Sequence, residues 1–147
     1  MTSSFGVRRS TPWFQVAGGL AVAVLAAVLW YAWMGWDTQY QTDSVTQVTS
    51  GPYEAWQVIG CALSLLVVFV GALLAGVRPL WASAALTLGF TAAWTATAAP
   101  EDETGMYGVG MILLLIGLAA GTTVVSLVVL GIRRMWSARR PAGRLGG

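Results

Sequence analysis

Four long apolar stretches, separated by short polar breaks, organise this chain of 147 residues. They run over about 13–36, 55–77, 80–99 and 106–132. Each is close to the roughly 20 residues that a helix needs to cross about 30 Å of hydrocarbon. The breaks carry the residues that start and stop helices. Ser10-Thr11-Pro12 offers a hydroxyl cap followed by proline in the first turn. Glu54 lies where the positive end of a second helix favours an anion. Arg78-Pro79 disfavours helix at Arg78 and can open the next one, so the second and third spans are expected to form an antiparallel hairpin. Pro100-Glu101-Asp102-Glu103-Thr104-Gly105 reads as a polar turn. The break over 37–54 is the one sizeable loop; its segment Ser44–Thr49 is β-prone, although one short segment makes no stable sheet alone.

The expected fold is therefore all-α: a single polytopic membrane domain over 1–147, four transmembrane helices in an antiparallel bundle, and a basic tail over 133–147. The first stretch is longer than the apolar part of a secretory signal. Trp30-Tyr31-Ala32-Trp33 stands where cleavage would need small residues, so an uncleaved anchor is expected.

Charge gives the fold a direction. All eight basic residues are arginines, and they flank the stretches on one side: Arg8, Arg9, Arg78, Arg133, Arg134, Arg139, Arg140 and Arg144. The six acidic residues, Asp37, Asp43, Glu54, Glu101, Asp102 and Glu103, fall in the breaks on the other side. Positive charge stays in the cytoplasm, which puts both termini there and the 37–54 loop outside. Trp13, Trp81 and Trp136 mark the arginine side, and Trp33, Trp36, Trp56, Tyr31, Tyr53 and Tyr107 the acidic side, as interfacial aromatics do. Trp30 and Trp94 lie about a turn deeper.

The net charge of +2 comes from these flanks and forms no basic stripe, so no nucleic-acid partner is expected; membrane lipids are the expected surroundings. Lys, His and Asn are absent while Ala, Gly, Val and Leu dominate, a usage that fits a GC-rich bacterial genome and hence a bacterial cell membrane.

Chemistry inside the bilayer has little to work with. No ionisable residue falls at mid-span, where a charge usually marks an ion path or proton relay. The first span lacks the carboxylate on which small four-span exporters depend, and the lone Cys61 cannot supply the Cys-x-x-Cys pair of four-span thiol oxidoreductases. With no His and no nucleophile beside a base, no catalytic residue, cofactor or metal site is expected, and Glu101–Glu103 reads as a solvated turn.

What remains is packing. Gly117 and Gly121 form a G-x-x-x-G motif in the fourth span, and Gly19, Ala23 and Ala27 recur every four residues in the first. Small residues one turn apart let helix backbones approach closely, either within the four-helix unit or between copies. Ser83, Thr87, Thr91 and Thr95 repeat the same spacing in the third span. Such a hydroxyl face lines a wet path, or packs with each hydroxyl bonded back to a carbonyl one turn earlier. The expected function is a non-enzymatic scaffold or accessory subunit that contacts another membrane protein or itself. The alternative is a transporter or channel component that uses the span-three hydroxyls after oligomerising.

Overall fold

The computed structural model describes residues 11–36, 41–42, 49–50 and 53–139. Four α-helices dominate: α1 (Pro12–Trp33), α2 (Ala55–Ala75), α3 (Pro79–Ala98) and α4 (Tyr107–Ala138). A 3-10 turn, Ala99–Glu101, follows α3. Two short strands, β1 (Gln41–Thr42) and β2 (Thr49–Ser50), pair antiparallel with Gln41 opposite Ser50. Most of the β-prone segment 44–49 lies outside the described residues, as do Arg8, Arg9, Arg140 and Arg144.

Three of the helices, α1, α2 and α4, are long and apolar enough to cross a membrane, with mean hydropathy of 2.0, 2.7 and 2.5. Their outward faces carry Leu20, Val24, Ile59, Val67, Leu113 and Ile116, all exposed on the single chain. Helices whose exposed surface is apolar over this extent are suited to hydrocarbon and not to water, which makes the chain a membrane protein. α3 falls outside this group of three. Its hydroxyls at Ser83, Thr87, Thr91, Thr95 and Thr97, with Trp81 and Trp94, dilute its apolar content.

Local sequence explains where the helices begin and end, with some differences from the expected bounds. Thr11 does precede α1 as its cap residue, but its hydroxyl makes no capping bond; the Thr11 carbonyl instead accepts from Phe14 N at 2.9 Å and Gln15 N at 3.3 Å. α1 ends at Trp33, short of 36, where Met34 N and Gly35 N both close onto the Trp30 carbonyl, at 2.9 and 3.1 Å. α2 opens with Glu54 as its cap: Glu54 N donates to Gln57 Oε1 at 2.7 Å, one arm of a capping box.

α2 stops before Arg78-Pro79. Gly76 takes the left-handed conformation (φ 101°), which costs a residue without Cβ little, and Val77 N donates to the Ala72 carbonyl at 3.0 Å in a Schellman closure. At the other end of the molecule Asp102 sets the start of α4. Its carboxylate accepts from Thr104 N at 2.8 Å, from the Thr104 hydroxyl at 2.6 Å and from Tyr107 N. α4 continues beyond 132 to Ala138 because Arg133 and Arg134 are good helix formers and no glycine or proline intervenes. The basic residues there are helical.

The core lies among α1, α2 and α3, around Trp30, Leu65, Phe69, Leu73, Leu86 and Phe90. α3 is the most enclosed helix: it packs against α1 and α4, while α2 packs mainly on α1. α4 touches α2 only lightly.

Candidate functional site

The residue classes that the sequence singles out as interaction faces separate into faces used inside the chain and faces left open. On α1 the small residues are used. Gly19 is buried, and a Cβ placed on it would sit 3.8 Å from Ala85 Cβ, in ordinary contact. Ala23 lies against Gly89 of α3 so closely that a Cβ on Gly89 would come within 2.7 Å of Ala23 Cα. Ala27 is half-buried against the core. Gly89 is the residue that lets α1 and α3 meet backbone to backbone, and the sequence reading did not single it out. The signal was there, in the spacing-four row Ala85, Gly89, Ala93 that faces the α1 row.

On α4 the small residues are open. Gly117 and Gly121 are exposed, and a Cβ on either would meet nothing within 4 Å. Both line an apolar groove of about 200 Å³ whose walls come from Leu65 and Phe69 of α2, Leu86 of α3 and Leu118 of α4. The groove exists because α2 and α4 barely touch, leaving the smallest side chains of α4 as its floor.

The hydroxyl row on α3 does not behave as one unit. Ser83 Oγ lies 2.6 Å from Thr122 Oγ1 of α4, and Thr122 Oγ1 donates to the Leu118 carbonyl at 2.7 Å, so Ser83 is the donor of the pair. Thr87 and Thr91 are buried, 7% and 5% exposed. Their hydroxyl oxygens and that of Thr95 have no hydrogen-bond partner among the described residues. Elsewhere hydroxyls do bond back one turn: Ser64 to the Gly60 carbonyl at 2.8 Å, Ser126 to the Thr122 carbonyl at 2.7 Å. The back-bonding expected for the row is therefore not made at Thr87, Thr91 or Thr95.

Several buried polar contacts hold the helices in register. Gln15, 4% exposed in an otherwise apolar helix, grips the α2–α3 turn: Nε2 donates to the Gly76 carbonyl at 3.1 Å, and Oε1 accepts from Arg78 N at 2.8 Å. Trp30 Nε1 donates to Thr97 Oγ1 at 3.2 Å, and its ring meets Tyr53 and Phe90 edge-on at 5.7 and 5.4 Å. Trp33 Nε1 donates to Ser64 Oγ at 3.2 Å. The indole N–H groups of Trp33, read from sequence as an interface marker, and of Trp30, read as lying about a turn deeper, thus bond to neighbouring helices. Gln15 was missed; its one signal was an amide within an apolar run.

A cavity of about 780 Å³ opens at the end of the molecule where α1 stops and α3 turns into α4. Met34, Tyr53, Trp94 and Tyr107 form its wall, and Glu101, Asp102 and Glu103 lie along its rim. The bonds from Thr104 and Tyr107 hold the Asp102 carboxyl below the usual carboxylate range. Among the described residues, no three His, Cys, Asp or Glu side chains converge into a group that could hold a metal ion. Cys61 is buried, and no other cysteine is present. Comparison with family models, with curated proteins and with solved structures gave no match.

Proposed function

We propose that the chain is a non-enzymatic, multi-pass scaffold or accessory subunit of a bacterial cell membrane, working through helix–helix contacts on α4. The observation that carries this reading is the contrast between the two small-residue rows. The α1 row is consumed against α3, whereas Gly117 and Gly121 stand open on a membrane-facing helix beside an apolar groove. In lipid, where hydrophobicity no longer drives association, a small-residue face is the kind of surface against which a second helix packs. The partner is another membrane protein or a second copy.

In this reading all four helices cross the bilayer as one domain, an antiparallel bundle with both termini cytoplasmic. Support for the α3 crossing comes from its 20 residues, about 30 Å of helix, and from α1 and α4 shielding its less apolar surface. Support for the antiparallel order comes from contacts that pair the start of α1 with the α2–α3 turn (Gln15 with Gly76 and Arg78) and the end of α1 with the end of α3 (Trp30 with Thr97). Among the described residues, the charged side chains lie at helix caps, in the turn between α3 and α4, or, for Arg133 and Arg134, within the last two turns of α4, an arrangement that supports a role in contact rather than chemistry.

Native mass spectrometry from lipid nanodiscs tests the proposal: Gly117→Leu or Gly121→Leu is expected to lose an assembly that the unaltered chain forms, and unchanged assembly in both would refute it. A second reading, a transporter or channel component whose α3 face lines a path after oligomerisation, draws on the unpartnered hydroxyls of Thr87, Thr91 and Thr95. The burial of Thr87 and Thr91 within a single chain weighs toward packing.

A further inference from the structure

The cavity at the α3–α4 end has features that the helix-contact reading does not use. Three carboxylates in a row on a turn would by themselves be a solvated surface. Here they rim a cavity of about 780 Å³, within the range of small-molecule sites, and the wall behind them is aromatic and thioether. None of its described lining residues is basic, and Glu101 and Glu103 form no ion pair with any described residue. The hydrogen bonds from Thr104 and Tyr107 favour the ionised form of the Asp102 carboxyl on this rim.

We propose that this cavity binds an organic cation, an alkylated amine or quaternary ammonium group, seated against Tyr53, Trp94 and Tyr107 with its charge facing Glu101 and Glu103. The chemistry selects this class over its competitors. A small hard cation wants several oxygens converging on one point, whereas these carboxylates follow one another along a turn and do not converge. An anion meets three negative charges. A neutral apolar molecule gains from the rings but not from the carboxylates. A cation of low charge density gains from both, because aromatic faces attract it electrostatically and it gives up little hydration to reach them. In the topology proposed above the cavity opens to the outside. The inference does not depend on the α4 contact, and each can fail without the other.

Equilibrium dialysis of radiolabelled choline against the full chain in uncharged maltoside micelles tests this inference. Saturable binding is expected, with 3,3-dimethylbutan-1-ol, the neutral carbon isostere, competing at least about tenfold more weakly than unlabelled choline. The double substitution Glu101→Gln and Glu103→Gln is expected to weaken binding about tenfold, and Tyr107→Leu several-fold. The two glutamates are exposed and bond to nothing described, so the double variant is expected to keep the helical circular dichroism of the parent. The inference is overturned by any of four results: no saturable uptake, equal competition by the neutral isostere, unchanged affinity in the double variant, or displacement of choline by an equal concentration of calcium.

Discussion

Replacing Thr91 by valine asks whether the hydroxyl face of α3 is packing or path. Thr91 is 5% exposed, and its hydroxyl oxygen has no hydrogen-bond partner among the described residues. Valine has the same branched shape and nearly the same helix propensity, so the substitution removes a hydroxyl and little else. A buried hydroxyl without a partner costs on the order of 1–3 kcal/mol, while the loosened state in a bilayer or micelle recovers only part of a bond. Thr91→Val is therefore expected to stabilise the fold by about 1 kcal/mol. Thr122→Val supplies the opposite sign. It removes the acceptor of the 2.6 Å bond from Ser83 and a 2.7 Å back-bond to Leu118, and is expected to destabilise by about 1 kcal/mol. Both are measurable by titrating dodecyl sulfate into maltoside micelles and following helical signal. If Thr91→Val destabilises as much as Thr122→Val, the hydroxyl has a partner supplied by water, and the packing account of this face is refuted in favour of a wet path.

Two further outcomes follow from the same contacts. Gln15→Leu leaves the Gly76 carbonyl and Arg78 N–H without their partners and is expected to cost about 2–3 kcal/mol in the same titration, with backbone exchange rising at Arg78. Asp102 has a folded pKa below its unfolded value, so its stabilisation of the α4 start is fully present above the unfolded pKa and is lost as pH falls through the folded one. Hydrogen exchange at Tyr107 is therefore expected to differ between the unaltered chain and Asp102→Asn at neutral pH, and to converge under strong acid. Equal protection at neutral pH would show that Asp102 does not cap α4.

The helices were legible because their cause is local and repetitive: long apolar runs, proline at helix starts, arginine at the flanks. Their ends were less legible because they turn on single residues. Arg78-Pro79 was the conspicuous stop, yet Gly76 closes α2 first by adopting a conformation that side-chain residues avoid. α4 runs through Arg133 and Arg134 because charge marks a membrane boundary without breaking a helix. The contact faces were harder still. G-x-x-x-G spacing identified residues able to approach another helix, but the four-residue period in α1 and in α4 is the same; only the positions of α3 and α2 decide which row is covered. Gly89 and Gln15 escaped notice because each matters through a residue far along the chain, Ala23 in one case and Arg78 in the other.

The central claim, that the α1 row faces inward and the α4 row faces a partner, is tested most directly by oxidative crosslinking in native membranes. In a Cys61→Ala background the lone native thiol is removed, so Gly121→Cys and Gly19→Cys each report one face. Gly121→Cys is expected to form an intermolecular disulfide, to a second copy or to a cysteine of another membrane protein, and Gly19→Cys is not. Crosslinking at Gly19 with none at Gly121 would contradict the account.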